Sequence, residues 1–168
     1  GYATANAGDL DGDGLDDLLV GAPQYGTGAA LLYLAADLVI GGAFTSGDAH
    51  TTMTAGTFAG STLASIGDLD ADGKSEILVG TDLYGYTSFA VYAGADAAAG
   101  GSLSTGDALA FGSSTGKLGG AAAGGLDLGG DGLPDVVVAQ LGGSSKVHVL
   151  DGQDLVGGVI VDLPATDA

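Results

Sequence analysis

Eleven of the 21 acidic residues of this chain recur at positions 1, 3, 5 and 9 of three short loops. In the first, Asp9, Asp11, Asp13 and Asp17 occupy positions 1, 3, 5 and 9, with Gly14 at position 6 and Leu15 at position 7. The second loop repeats this with Asp68, Asp70, Asp72 and Glu76 around Gly73 and Lys74. The third has Asp127, Asp131 and Asp135 around Gly132 and Leu133, with Gly129 where position 3 would carry a carboxylate. Carboxylates this close repel one another unless a cation sits among them. A hard divalent cation takes about six to eight oxygens at short range. Alternating acids, with the backbone carbonyls of Leu15, Lys74 and Leu133, supply such a set. Glycine at position 6 permits the sharp turn. An all-oxygen set favours Ca²⁺ over zinc or copper, and Mg²⁺ prefers to keep its waters. Three Ca²⁺ sites are expected, the third weaker, with water in place of its missing carboxylate.

Two bland readings compete. Asp-Gly pairs make ordinary turns, but a turn needs one or two such residues, not four acids at alternate positions. The EF-hand shares positions 1, 3, 5, 7 and 9, yet it requires a glutamate at position 12 between two amphipathic helices. Position 12 here is Val20, Val79 or Val138. The flanks are short β-type runs without helical periodicity.

The elements that position these loops recur with them. Asp9, Asp68 and Asp127 are spaced 59 residues apart, and Gly1, Gly60 and Gly119 keep the same register. So do Tyr33 with Tyr92, and Gly47-Asp48 with Gly106-Asp107. A fixed period of this size is the mark of a repeat architecture. The units are 1–59, 60–118 and 119–168. In each, a small-residue stretch (2–7, 62–66, 121–124) leads into the acidic loop. A β-branched or leucine run follows: Leu18–Val20, Ile77–Val79 and Val136–Val138. A third strand is expected at 29–34, 87–92 and 146–150, and a fourth at 49–54 and 108–112. Four short antiparallel strands per unit make a propeller-type blade, so the fold class is all-β. The third unit is nine residues short of 59 and is expected to lack most of its fourth strand. That would leave an open edge, which invites pairing with another chain.

Composition narrows the function classes. The chain is 46% hydrophobic with 34 glycines, enough for a core of tightly packed strands. Its formal charge of −18 argues against nucleic acid or an anionic membrane surface, both of which need basic patches. Three divalent ions would bring that charge to −12. There is no cysteine, hence no disulfide framework or thiolate metal site. No run of apolar residues reaches membrane-spanning length.

The segment from Gly8 to Pro23, Gly-Asp-Leu-Asp-Gly-Asp-Gly-Leu-Asp-Asp-Leu-Leu-Val-Gly-Ala-Pro, resembles the FG-GAP repeat of the integrin α-subunit propeller and its bacterial relatives. The resemblance spans three copies. The Gly-Ala-Pro becomes Gly80-Thr81-Asp82 and Ala139-Gln140-Leu141, and the Phe-Gly becomes Ala59-Gly60 and Leu118-Gly119. It implies that each calcium loop joins the first two strands of a blade. It also implies an extracellular or cell-surface setting, and a ring of more blades than three.

A non-catalytic adhesion or ligand-binding module is the leading functional expectation, with a protein or carbohydrate ligand held on loops that include Tyr25, Tyr84 and Tyr86. The alternative is a subunit of a surface layer or filament, self-associating head to tail through open blade edges. An enzyme fits poorly: His50 and His148 fall in strands, and no nucleophile stands with a base.

Overall fold

The strands form because short β-branched and aliphatic runs are bounded by glycine and aspartate, which end pairing and turn the chain. A computed structural model describes residues 1–81, 88–113, 117–141, 145–157 and 160–162. Its strands are β1 (Thr4–Gly8), β2 (Asp17–Ala22), β3 (Ala29–Tyr33), β4 (Thr51–Thr54), β5 (Thr62–Ser65), β6 (Ile77–Gly80), β7 (Ser88–Tyr92), β8 (Gly101–Ser104), β9 (Ala110–Ser113), β10 (Lys117–Leu126), β11 (Asp135–Leu141), β12 (Lys146–Leu150) and β13 (Ile160–Asp162). Two short helices, α1 (Gly94–Ala99) and α2 (Gly152–Val156), follow β7 and β12.

The strands build three sheets in the order β1-β2-β3-β4-β8, β5-β6-β7-β9-β13 and β10-β11-β12. The antiparallel strands of each sheet come from one sequence unit, apart from β10, which starts at Lys117. Each of the first two sheets gains a fifth strand that the sequence did not suggest. It comes from the following unit and runs parallel: β8 along β4 and β13 along β9. The units therefore overlap at their outer edges.

Cross-strand register follows the 59-residue period through the second unit, with Leu18 opposite Tyr33 and Ile77 opposite Tyr92. In the third unit Val136 meets Leu150 rather than Asp151. The chain is one residue shorter between β11 and β12, and Asp151 becomes the cap of α2, accepting a hydrogen bond from the Gln153 N–H at 2.9 Å.

Two apolar cores lie between the sheets. Leu19, Leu32 and Met53 of the first pack with Ile77, Val79 and Tyr92 of the second. Leu78, Phe89 and Val91 of the second pack with Val136, Val138 and Leu150 of the third. Alternation along each strand gives one sheet two apolar faces, so it serves both neighbours. Glycine sets the spacing at the inter-unit crossing. A Cβ on Gly21 would lie 1.9 Å from the Gly60 carbonyl oxygen, and one on Gly80 would lie 2.9 Å from that of Gly119. This close approach explains why the pair Gly21 and Gly60 recurs one period later as Gly80 and Gly119.

The recurrent Gly-Asp pairs also have a local cause. The Asp48 carboxylate accepts from the Thr45 N–H and hydroxyl at 2.8 and 2.7 Å, and Asp107 accepts from those of Ser104 at 2.8 Å each. These capping boxes fix the turn that feeds the fourth strand.

Candidate metal centres

Each acidic loop joins the first and second strands of its sheet. The first acid organises the turn. The Asp9 carboxylate accepts from the N–H groups of Gly12 at 2.7 Å, Asp13 at 3.0 Å and Gly14 at 2.9 Å. Asp68 accepts from Asp72 at 3.1 Å and Gly73 at 2.9 Å. Asp127 accepts from Gly130 at 2.5 Å, Asp131 at 3.1 Å and Gly132 at 3.0 Å. The third position adds a bond from Asp11 to the Asp13 N–H, and from Asp70 to the Asp72 N–H, each 3.1 Å. Gly129 has no side chain to repeat it. The fifth position bonds the N–H two residues on: Asp13 to Leu15 and Asp72 to Lys74 at 2.8 Å, Asp131 to Leu133 at 2.9 Å. The amide dipoles turned inward by these bonds stabilise negative charge. Asp9 is held below the ordinary carboxylate range chiefly by the Gly14 N–H, and Asp131 chiefly by that of Leu133.

Backbone shape follows residue type. Gly12, Gly14, Gly73, Gly130 and Gly132 all adopt positive φ. At the fourth position of loop two, however, Ala71 takes φ 62°. An L-residue there is strained.

One oxygen each of Asp9, Asp11 and Asp13 lies within 4.8 Å of the others. The same holds for Asp68, Asp70 and Glu76. Oxygens bound to one Ca²⁺ at about 2.3–2.6 Å are separated by up to about 5 Å, so both groups fit that ion by spacing and by their all-oxygen chemistry. The described residues of loop three form no such group, although Asp127, Asp131 and Asp135 border one turn. Leu15, Lys74 and Leu133, whose carbonyls complete the expected set, stand two residues after the fifth-position acids.

The ninth position plays a part that its spacing did not reveal. Asp17, Glu76 and Asp135 are all buried. Asp17 accepts from the Leu10 N–H at 3.0 Å and the Ala35 N–H at 2.8 Å. Glu76 accepts from Leu69 at 2.5 Å and Gly94 at 3.3 Å, and Asp135 from Leu128 at 2.7 Å and Gly152 at 3.4 Å. Each carboxylate thus staples its acidic loop to the turn that follows the third strand. Only the longer Glu76 also keeps an oxygen in its carboxylate group. Burial pushes its carboxyl up to about 7. The signal was present in sequence: Gly94-Ala-Asp96 and Gly152-Gln-Asp154 recur at the same offset from the third strand.

The loops also touch one another. The Lys74 ammonium donates to the Leu10 carbonyl, carrying the second loop to the first. Both histidines are in structural bonds, His50 with the Ala98 carbonyl and His148 with the Gln140 amide oxygen, each 2.8 Å. Tyr25 lies in the loop after β2, at the opposite end of the strands from the acids, and is 53% exposed. With Tyr2 and Pro23 it borders a hollow of about 280 Å³. Tyr84 and Tyr86 lie outside the described residues.

Repeated antiparallel sheets, packed face to face and each with an acidic loop between its first two strands, define a β-propeller-type repeat protein. Comparison with known proteins agrees. The FG-GAP repeat family matches residues 1–33. Integrin alpha-5 of Xenopus laevis is 33% identical over 161 residues, covering 84% of this chain and 15% of the integrin's length. The chain belongs to the integrin-α-like FG-GAP repeat family. It spans about a sixth of the curated relative it matches.

Proposed function

We propose that the chain is a non-catalytic, extracellular or cell-surface β-propeller module for adhesion or ligand binding, stabilised by Ca²⁺ in the loops between first and second strands. One observation carries this reading. Two loops in successive repeats each gather three carboxylate oxygens within 4.8 Å, on turns already held by inward-pointing amides. Loop one would hold the ion with Asp9, Asp11 and Asp13, and loop two with Asp68, Asp70 and Glu76, joined by Asp72 at the fifth position. Bound Ca²⁺ would neutralise like charges and tie two strands together. Loop three, without a carboxylate at Gly129, would bind more weakly.

The ligand surface lies at the other end of the strands, where Tyr2 and Tyr25 are exposed beside the 280 Å³ hollow. Its partner is a protein or a carbohydrate of the cell surface or matrix. Family membership supports the setting and the module type. Among the described residues no helix is long and apolar enough to cross a membrane.

Calorimetric titration with CaCl₂ tests the reading. Two tighter sites and one weaker site are expected, with the tight pair falling to a single site in Asp13→Ala and in Asp72→Ala. Heat no different from buffer dilution would reduce the loops to acidic turns.

A further inference from the structure

Successive acidic loops lie one against the next. A Cβ on Gly8, just before loop one, would be 3.9 Å from the Ser75 hydroxyl at position 8 of loop two. One period later, a Cβ on Gly67 would be 2.7 Å from the Pro134 ring at position 8 of loop three. The crossings are equivalent by period, so the residue at the adjoining position 7 decides what passes from one loop to the loop before it. Leu15, Lys74 and Leu133 hold that position. Lys74 alone among them is charged, and it is one of 3 basic residues set against 21 acids.

Lys74 is placed where its charge reaches loop one. The residue is half-buried. A Cβ on Gly94, at the start of α1, would lie 2.9 Å from that of Lys74, so α1 backs the side chain. Its ammonium donates to the carbonyl of Leu10, at position 2 of loop one. Leu10 stands between Asp9 and Asp11, two of the three acids whose oxygens gather within 4.8 Å. The Asp9 carboxyl, lowered chiefly by the Gly14 N–H, is lowered further by the Lys74 charge. Leu133, the corresponding residue beside loop two, brings no charge.

We infer that Lys74 is the resident counter-ion of loop one: its ammonium stabilises the ion-free loop, ties it to the second unit and opposes the entry of Ca²⁺. The inference rests on the calcium reading of loop one and adds to it a residue of the next repeat that sets the affinity. The cause is Coulombic. One fixed positive charge relieves the repulsion among Asp9, Asp11 and Asp13, and a divalent ion entering the same cluster meets that charge. Loop two would draw on the Lys74 backbone carbonyl, which a side-chain substitution retains. Loop one is therefore weakened relative to what its own carboxylates would give, and loop two is not.

Calorimetric titration of CaCl₂ into Lys74→Met tests this, in an Asp70→Ala background that removes loop two and in an Asp13→Ala background that removes loop one. Loop one should bind about threefold to tenfold tighter than it does with lysine, and loop two should change by less than about twofold, as one partly screened charge would produce. The gain at loop one should shrink as NaCl is raised, which loss of the Leu10 hydrogen bond alone would not cause. Without calcium the order reverses: Lys74→Met should melt below the wild type in chelator at low salt. Lys74→Arg should behave as the wild type. Lys74→Gln, which keeps a donor but not the charge, should behave as Lys74→Met and replaces it if methionine disturbs the crossing. Loop one affinity that is unchanged or weaker in both uncharged variants, or a gain that salt does not diminish, overturns the inference and leaves the calcium reading standing. No calcium heat in the wild type overturns both.

Discussion

Asp17 opens β2 and lies on the same face of that strand as Leu19, so the strand alternation turns its carboxylate inward. There it satisfies two backbone donors, the Leu10 and Ala35 N–H groups. Leaving a buried donor unmet costs about 1–3 kcal/mol. Asp17→Ala should therefore destabilise the protein by roughly 2–4 kcal/mol even in chelator, measured by urea unfolding. A loss seen only with calcium present would make Asp17 a ligand and not a staple. Glu76 carries a pH signature. Its folded carboxyl is raised from 4.5 to about 7, so between those values the folded state holds more protons than the unfolded one. In ion-free protein its contribution to stability should fall as pH rises through that window. Calcium, which favours the ionised form, should flatten the slope, and Glu76→Gln should remove it. Melting curves at both ends of the window, with and without chelator, read this. Ala71 offers a smaller test. Its left-handed backbone is strained by about 1–2 kcal/mol, partly offset by the greater unfolded-state freedom of glycine. Ala71→Gly should raise stability by a few tenths to about 1 kcal/mol, and a decrease would show that the loop does not hold this conformation.

At the scale of elements, the acidic loop is the part most legible in the sequence, because its bonds are local. Alternate aspartates cap the amides two to five residues ahead, so spacing alone encodes the turn. The strands were legible for a similar reason: Ile77–Val79 and Val136–Val138 are β-branched runs with glycine or aspartate nearby. The fifth strands were not. Gly101–Ser104 carries no hydrophobic alternation of its own and becomes a strand only because β4 offers an edge. The inward turn of Asp17, Glu76 and Asp135 was missed because ligand spacing and strand parity assign the ninth position different roles. Loop substitutions should act locally. Asp13→Ala should weaken Ca²⁺ at loop one by tenfold or more, about 1.4 kcal/mol, and leave loop two nearly unchanged. Asp72→Ala should do the reverse. Equal loss at both loops from either change would show that the loops act as one site, coupled through Lys74 and the Leu10 carbonyl.

For the whole molecule, the 59-residue period was sufficient to place three successive sheets, but not how they interlock. Interlocking depends on long-range contacts, such as the Gly21 and Gly60 crossing, that a repeat length does not describe. The one-residue shortening before β12 was also hidden, since the acidic loops keep strict spacing across it. Charge acts at this scale too. With 21 acidic and 3 basic residues, ion-free protein repels itself, and the proposed calcium would relieve the densest part of that field. Stability should thus respond to Ca²⁺ far more than to an equal ionic strength of NaCl.

The most direct test is thermal unfolding of the wild type and of a protein carrying both Asp13→Ala and Asp72→Ala, each in calcium and in chelator at matched ionic strength. Ligand at about 100 times its dissociation constant adds roughly 2.7 kcal/mol per site. The wild type should melt markedly higher in calcium, and the double variant should lose most of that rise. A wild-type melting temperature that is the same in both buffers would contradict structural calcium in these loops.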